Sequence, residues 1–392
     1  MSERRLPKLH FWSTVAGLIF VGFLVMLFRR FTMGLGAISN LSNEMPWGLW
    51  IGFDLLCGVA LAAGGFTVTA VVYIFHLENY KPIVRPTVLT AFLGYLLVIF
   101  ALLIDLGRPW NIWHPLVFWN PHSVMFEVGW CVMLYSTVLF LEFLPLVLER
   151  LGYNRQVHFM HRYLTPVLVI MGVLLSTMHQ SSLGTLYVIA PSKLHPLWYS
   201  PILPVHFFVS AIALGLAMTN VESFLSLRAF GKRLEPHLLR GIGRATAVML
   251  LLTFVIRLED LIVHDKLGMA FAFDTASWFF LAEIGLGVLL PMILLFNPRI
   301  RQRPAALVGT QFLVVLGFMF GRMNVAVTAF QLGTGVEYRP HWMEFLVSIG
   351  VIVLGFKAFS LAVRYLPVFE EGPMPDAKPV DPFLDPTLRG RA

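Results

Sequence analysis

Long apolar runs recur along the whole chain, and short polar segments rich in Gly, Pro, Arg and Lys separate them. Each run approaches the roughly 20 residues that an α-helix needs to cross a bilayer. The pattern therefore predicts ten membrane-spanning helices. The predicted spans are Phe11–Phe28, Trp50–Phe75, Thr87–Leu106, Ser123–Leu148, Tyr163–Tyr187, Leu203–Leu225, Ile242–His264, Ser277–Phe296, Ala305–Phe330 and Trp342–Leu366.

The same pattern divides the chain into an all-α transmembrane domain, residues 1–366, and a proline-rich tail, residues 367–392, that we expect to be disordered and cytoplasmic. Composition agrees with a membrane protein, because 57% of the residues are hydrophobic and only 13% are charged. Soluble domains carry about 25% charged residues. No small-residue cleavage site follows the first run, so we expect a retained helix rather than a signal peptide.

The distribution of Lys and Arg predicts the orientation. Alternate loops, beginning with the N-terminal segment, hold 20 of these residues, and the opposite loops hold six. Because cytoplasmic loops of membrane proteins are enriched in positive charge, both termini are expected in the cytoplasm. The net charge of +7 then reflects membrane orientation, and no nucleic-acid partner is expected.

Cysteine and histidine usage limits the cofactors that the chain can hold. Cys57 and Cys131 are the only cysteines, whereas an iron–sulfur cluster generally needs four thiolates. We expect both to be buried as small apolar residues, and a disulfide between them is the alternative. A b-type haem needs paired axial ligands, and His179 is the one histidine clearly inside a span. A His179–His206 pair is the conceivable alternative, but we expect no haem and no metal site.

Ionisable side chains inside spans are costly and usually serve ion paths, ligands or pairing. With the N-terminus inside, only Glu142, Glu222 and Lys357 lie at mid-depth or deeper. The others fall in the outer half: Asp54, Asp105, Glu127, His179, Arg257, Glu259, Asp260, Glu283, Arg322 and Glu344. One outer polar cluster is typical of a site that exchanges protons with a bound molecule. The alternative is that Arg257 and Arg322 neutralise carboxylates and hold the helices together.

Two of the stretches in this outer half join a span to a loop. Leu103–Trp110 ends a span with Asp105, Arg108 and Trp110, and His122–Glu127 opens the next span with Glu127. The carboxylates there are candidates to orient an imidazole or to relay a proton. As an alternative, Trp110 serves only to anchor the chain at the membrane interface.

A third stretch, Thr177–Gly184, places His179, Gln180 and Ser182 at the outer end of a span. An imidazole can donate a hydrogen bond to a quinone carbonyl and pass on a proton. The alternative for Gln180 and Ser182 is that they tie neighbouring helices together.

These stretches, together with Pro46–Asp54 and His195–Trp198, resemble the NrfD-like membrane subunits of the polysulfide reductase type. The chain is most similar to the ten-helix branch that includes the membrane subunit of hydrogenase-2, over nearly all of its length except the tail. The resemblance implies a multi-pass subunit of the bacterial inner membrane, free of haem and clusters, that binds menaquinone or ubiquinone near the outer face. It also implies a ferredoxin-like iron–sulfur partner on the periplasmic side, with catalytic subunits or a multihaem cytochrome beyond it.

The site that we predict has three parts. His179, Asp105 and Glu127 are expected to handle protons, and the quinone is expected to contact Asp54, Asp105, Arg108, Trp110, Glu127, His179, Gln180 and Ser182. The expected proton path comprises Glu142, Glu222, Arg257, Glu259, Asp260, Glu283 and Lys357. The competing function is a secondary transporter, which would often show inverted repeats and a site at the midplane. The off-centre polar residues and the absence of a detectable repeat favour the redox subunit.

Overall fold

The protein is built from long helices joined by short loops, and the computed structural model describes residues 11–230 and 236–369. No β-strand occurs within these residues. The ten long helices are α1 (Phe11–Met33), α2 (Trp50–Tyr73), α3 (Lys81–Asp105), α4 (Val124–Arg150), α5 (Asn154–Val188), α6 (Leu203–Phe230), α7 (Pro236–Val263), α8 (Thr275–Phe296), α9 (Pro304–Thr334) and α10 (Trp342–Tyr365).

Nine of these helices are long and apolar enough to cross a membrane, counted within the described residues. The remaining long helix, α7, coincides with the seventh predicted span, but its 28 residues include five charged side chains. The prediction of an all-α integral membrane protein is confirmed. The number of ten spans and the orientation of the termini stay predictions.

The helices form two four-helix bundles that pack side by side. The first bundle is a closed ring in which α2 packs on α3, α3 on α4, α4 on α5 and α5 on α2. The second bundle repeats this arrangement with α6, α7, α8 and α9, and α6 also packs on α2 and α5. Helices α1 and α10 form a pair that lies against α3. Below, the outer end of a helix is the end at the level of Asp105 and Glu127.

Glycines allow the closest approaches between helices. A Cβ atom added to Gly317 of α9 would lie 2.2 Å from the Cα atom of Gly287 in α8. Between the bundles, a Cβ atom on Gly215 of α6 would lie 2.5 Å from the backbone nitrogen of Gly64 in α2. Because apolar side chains gain little by leaving lipid, close backbone packing of this kind is a main source of helix association in membranes.

Within the described residues, four π-helical segments interrupt the regular helices: Trp50–Cys57, Met160–Leu164, Gly285–Leu289 and Asn324–Thr328. A π turn inserts one residue and rotates the side chains that follow it, and such turns are frequent at functional sites. Asp54 lies inside the first segment, and Asn324 begins the last one. The irregular turns therefore set the direction of polar side chains inside the bundles.

The predicted tail begins with residues that pack on the first bundle. Arg85 of α3 donates a 3.2 Å hydrogen bond to the carbonyl of Pro367. The side chain of Val368 is buried beside Leu89 and Leu146. The rest of the predicted disordered tail, residues 370–392, lies outside the described residues. The same is true of residues 1–10 and 231–235, which include several of the Lys and Arg residues behind the predicted orientation.

Candidate functional site

The interior of the first bundle holds a histidine next to two tyrosines. His179 of α5 is fully buried, and its ring centroid lies 5.7 Å from that of Tyr95 in α3. The ring of Tyr95 in turn meets that of Tyr135 in α4 at 4.6 Å. Both ring nitrogens of His179 and both tyrosine hydroxyls lack a hydrogen-bond partner among the described residues. Buried polar groups are nearly always hydrogen-bonded, so these groups are available to a polar ligand.

Neighbouring residues of α5 extend this group toward the outer end. The side-chain amide of Gln180 donates a 3.1 Å hydrogen bond to the carbonyl of Val59 in α2, while its own oxygen has no partner within the described chain. The hydroxyl of Ser182 donates to the carboxylate of Glu127 in α4. Two of the stretches singled out in the sequence therefore meet at the contact between α4 and α5.

A second polar group joins α1, α2, α3 and α10 at their outer ends. Ser348 of α10 donates a 2.6 Å hydrogen bond to the carboxylate of Asp54. The Nε of Arg30 donates to the carbonyl of Ile104 at 2.6 Å, and its Nη2 donates to that of Leu106. A cation that satisfies the last carbonyls of a helix stabilises its C-terminus. Arg30 thereby also places a positive charge beside Asp105.

Glu344, at the start of α10, lies at the outer edge of this group. Its Oε1 atom accepts hydrogen bonds from the backbone nitrogens of Asn40 and His341, both at 2.9 Å, and the hydroxyl of Tyr338 donates to its Oε2 atom. Burial, together with this hydrogen bond to Glu344, raises the pKa of Tyr338 well above its ordinary value. The hydroxyl therefore stays protonated and holds the loop before α10 against the loop that follows α1.

The third group lies in the second bundle, and most of its members are bonded to one another. Asp260 of α7 accepts a 2.6 Å hydrogen bond from Ser200 and lies 3.1 Å from Nδ1 of His264. Glu283 of α8 accepts hydrogen bonds from the indole of Trp198 at 2.8 Å and from Asn324 at 2.9 Å. These contacts fix the loop between α5 and α6 to the second bundle.

Two buried arginines of the second bundle donate hydrogen bonds to backbone carbonyls. Arg257 donates to the carbonyl of Leu197 at 3.4 Å, and Arg322 donates to that of Phe207 at 2.9 Å. Both side chains border a cavity of about 60 Å³ together with Glu283. The cavity is large enough for a few water molecules, and the hydrogen bonds around it join the helices of the second bundle.

The predicted residues therefore do not form one outer cluster. Some lie in the three groups described above, and others are exposed or lie elsewhere between helices. Arg108 and Trp110 are exposed at the end of α3. Glu259 of α7 and Lys357 of α10 are exposed on their helices. Glu222 of α6 accepts a 2.6 Å hydrogen bond from Thr90 of α3. Arg108 and Trp110 lie beyond the end of α3, and the rotation of α7 and α10 about their axes exposes Glu259 and Lys357. Hydropathy does not report this rotation.

Comparison with known proteins assigns the fold to a family. The family model described as "Polysulphide reductase, NrfD" matches residues 37–332. This chain belongs to the NrfD family. The matched range contains both bundles except the last two residues of α9, whereas α1 and α10 lie outside it.

Three relatives are similar over almost the whole chain. A protein of Nitratidesulfovibrio vulgaris is 42% identical over 371 residues, which cover 92% of this chain and 95% of the relative. The "probable Ni/Fe-hydrogenase 2 b-type cytochrome subunit" of Escherichia coli is 35% identical over 90% of this chain and 91% of its own. The "menaquinone reductase, integral membrane subunit" of Nitratidesulfovibrio vulgaris is 29% identical over 93% of each. The NrfD-like resemblance is therefore confirmed.

The words "b-type cytochrome" in one of these names raise the question of haem in this NrfD-family chain. Haem iron needs axial side-chain ligands, commonly histidine. His179 packs against Tyr95, and His206 lies 3.9 Å from Asp260 in the other bundle. Neither the cavity beside His206 nor the larger one beside His161 is lined by a second histidine. These residues do not fit a b-type haem with two histidine ligands.

The sequence analysis did not single out several residues of the polar groups described above. Tyr95 lies in an apolar run, and Tyr135 is followed only by Ser136 and Thr137, small hydroxyl residues that are common in membrane helices and do not single it out. The available signal was helical spacing, because Tyr135 follows Glu127 by eight residues and precedes Glu142 by seven, which places all three on one face of α4. The predicted first span ends at Phe28, which places Arg30 in a loop. In the structure Arg30 lies in α1, and its side chain is 3% exposed.

Proposed function

We propose that this chain is the quinone-reactive integral membrane subunit of a respiratory oxidoreductase in the bacterial inner membrane. It exchanges electrons between an outer-side partner and the menaquinone or ubiquinone pool. The observation that carries the proposal is the group of unpartnered polar atoms on His179, Tyr95, Tyr135 and Gln180, all buried in one bundle. The name of the menaquinone reductase relative supports the choice of quinone.

The chemistry of the site suits a quinone. Reduction of a quinone consumes two electrons and two protons, so a hydrogen-bonding group must lie within reach of its oxygens. A neutral imidazole carries one donor and one acceptor. His179 can therefore hydrogen-bond a quinone oxygen through one nitrogen and exchange a proton through the other. Glu127 and Asp105 lie nearer the outer ends of their helices, where they orient the ligand or relay protons.

Electrons must come from another subunit. Both cysteines, Cys57 and Cys131, are free and buried, and two thiols cannot hold an iron–sulfur cluster of the usual four-cysteine kind. We therefore assign electron delivery to a ferredoxin-like iron–sulfur subunit docked on the periplasmic side, joined to catalytic subunits or a multihaem cytochrome. The chain itself carries the exchangeable quinone, is surrounded by membrane lipid and holds no haem.

Replacement of His179 tests this function. We expect His179→Ala to slow quinone turnover by roughly 10²-fold, the low end for loss of a general acid or base. The complex, purified with its native partners, should still assemble and pass electrons to an artificial acceptor at its soluble subunits.

The proposed absence of haem is tested separately. A reduced-minus-oxidised spectrum of this subunit, separated from its partners, should lack a Soret band.

Gln311 provides the matched control. It is a fully buried side chain in α9 of the second bundle, and its oxygen also lacks a partner in the described chain. Gln311→Met should leave quinone turnover close to that of the unmodified complex. Full quinone activity in an assembled His179→Ala complex would show that His179 only packs helices, and the site assignment would be abandoned.

A further inference from the structure

The inner half of the α1–α10 pair leaves one face of α10 uncovered. In the outer half the two helices touch, because a Cβ atom added to Gly350 of α10 would lie 2.4 Å from Cγ of Phe23 in α1. Lys357, Leu361 and Arg364 follow Gly350 by seven, eleven and fourteen residues, so they continue the same face toward the inner end. All three side chains are exposed. The face of α10 that meets α1 in the outer half is therefore open in the inner half.

The adjoining side of α1 is open as well. Ser13, Gly17 and Phe20 are spaced by four and three residues, which places them on one stripe of α1. Ser13 is exposed and Phe20 is half-buried, and no other part of the described chain lies within 4 Å of a Cβ atom added to Gly17. Small residues at a spacing of four allow another helix to approach closely in a membrane. We call the space between this stripe and the open face of α10 the inner cleft.

Lys357 lies in the inner cleft without a counter-ion. Its Nζ atom lies 5.2 Å from the ring centroid of Phe20, and no carboxylate of the described residues lies within ion-pair distance of it. A cation–π contact offsets only part of the cost of placing an ammonium group among lipid chains. The apolar side chains around the cleft would suit lipid or protein equally, so the charge is the feature that distinguishes between possible occupants.

The position of Phe20 shows how deep the ammonium group lies. Phe20 follows Phe11, the first residue of α1, by nine residues, which is roughly 13 Å along the helix axis. The hydrocarbon core of a bilayer is about 30 Å thick, so this level is well inside the core. A lysine near a helix end can extend its side chain to the surface, but the Cα–Cβ bond of Lys357 tilts toward the N-terminus of α10, away from the inner surface. Lipid phosphates therefore do not lie at the level of this ammonium group.

The chain does not supply the missing carboxylate from a second copy of itself. Within the described spans, Glu259 of α7 is the exposed acid, but it lies four residues from the outer end of α7, whereas Lys357 lies fifteen residues from that of α10. The two levels differ by roughly 16 Å. In a twofold-symmetric contact at the cleft, two Lys357 side chains would face and repel each other. Residues 1–10, outside the described chain, carry three basic side chains and one acidic one.

We propose that the inner cleft is the docking site for a transmembrane helix of a partner subunit, and that an Asp or Glu side chain of that helix pairs with Lys357. Small residues of the incoming helix would pack on Gly17. The proposal rests on the part of the proposed function that makes this chain one subunit of a complex, and it is independent of the quinone chemistry at His179. Because α10 meets the first bundle at α3, the partner helix lies outside both bundles.

Photo-crosslinking identifies the occupant of the cleft. A benzoylphenylalanine introduced at Leu361, one turn from Lys357, is irradiated in native membranes, and the complex is then purified with its partners. We expect the crosslinked peptide, sequenced by mass spectrometry, to come from a membrane-spanning segment of a partner subunit with an Asp or Glu within about two helical turns of the crosslink. The same photoreactive residue at Ile293, which is exposed near the inner end of α8, is the matched control and should not couple to that segment.

Charge variants test the ion pair. Lys357→Met should lower the yield of the Leu361 crosslink by roughly tenfold, the size expected for the loss of one polar contact between membrane helices. Lys357→Arg, which keeps the charge, should retain most of the yield. Arg364→Met is the matched control, because Arg364 is an exposed cation on the same face but in the last turn of α10, where water is within reach. Lys357→Asp should abolish the crosslink, and exchange of the partner's acid for Lys should restore it.

Each outcome has a definite consequence. A crosslink to lipid alone, to residues 1–10 or to a second copy of this chain overturns the docking, and so does an unaltered yield in Lys357→Met. A captured partner segment without a nearby Asp or Glu overturns the ion pair and the proposal with it. If Lys357→Met does not accumulate, Lys357→Asp with the exchanged partner acid decides, and failure to restore the crosslink overturns the pair. In all these cases the quinone function stands, whereas a chain that purifies without any partner overturns both the docking and the assembly proposed above.

Discussion

Asp105 ends α3 at the point where Arg30 binds the last carbonyl groups of that helix. One oxygen of its carboxylate is buried without a hydrogen-bond partner in the described chain. Tyr95, which contacts His179, lies ten residues earlier in α3, roughly 15 Å along the helix axis. Asp105 is therefore too far along α3 to share a hydrogen bond with His179, and any part that it takes in the proposed reaction must run through its charge or through an intervening relay.

This distance predicts a graded effect of substitution at Asp105. Asp105→Asn keeps the shape of the side chain but removes the charge, so we expect a smaller loss of quinone turnover than in His179→Ala. Steady-state quinone kinetics of the intact complex measure the difference. Glu44→Gln, which neutralises an exposed acid in the loop after α1, should have no effect. A loss in Asp105→Asn as large as that in His179→Ala would move the reacting group to the outer end of α3.

At the scale of helices, π turns and close glycine contacts together set the direction in which polar side chains point. In the second bundle, Glu283 and Asn324 are joined by a 2.9 Å hydrogen bond between α8 and α9. One lies just before the π segment of α8, and the other begins that of α9. Gly287 and Gly317 bring the same two helices into backbone contact nearby. Because the helices touch so closely, this hydrogen bond and the 60 Å³ cavity beside it depend on the absence of side chains there.

Gly317→Ala should therefore destabilise the second bundle. The added Cβ atom would overlap the backbone of Gly287, and overpacking of a tight interior costs about 1–3 kcal/mol. Thermal unfolding of the detergent-solubilised complex is the measurement. Gly309→Ala in the same helix is the control, because nothing lies within 4 Å of its added Cβ atom. Equal melting temperatures for the two variants would contradict the close α8–α9 contact.

At the scale of the whole molecule, the two bundles differ in how their polar groups are satisfied. In the second bundle, Glu283 is hydrogen-bonded by Trp198 and Asn324, whereas one oxygen of Asp260 and Nε2 of His206 have no partner in the described chain. The first bundle holds more such unpartnered groups, together with the larger cavity. We therefore expect the first bundle to carry the proposed quinone chemistry and the second bundle to support it beside α2 and α5. Which membrane face the large cavity meets depends on the orientation of the chain.

The bias of Lys and Arg predicts that this cavity faces the cytoplasm. A reporter that works only in the cytoplasm should be active when fused after Ala392. A periplasmic reporter inserted beside Trp113, in the exposed loop between α3 and α4, should also be active. Robust periplasmic activity after Ala392 would reverse the orientation, and the large cavity would then face outward.

The membrane class, the family and the position of each long helix, to within a few residues at most ends, could be predicted from the amino-acid sequence. Hydropathy is summed residue by residue along the chain. Because a bilayer requires each crossing helix to hydrogen-bond its own backbone, each span can be located without knowledge of its neighbours. The burial of Cys57 and Cys131 followed from the same reasoning and is confirmed. The charged residues of the candidate site could also be recognised in the sequence, because a charge inside an apolar run is conspicuous whatever the orientation of its helix.

Which of these residues contact one another could not be predicted from the sequence and follows from the packing of the helices. Lys357 and Glu142 look alike in the sequence, as single charges deep in apolar runs, yet one is exposed on α10 and the other lines the cavity of the first bundle. His179, Tyr95 and Tyr135 come from three helices. The direction in which each side chain points depends on the rotation of its helix about its axis. Glycine contacts with neighbouring helices and π turns set this rotation. These contacts join residues distant in the chain, so no local pattern contains them.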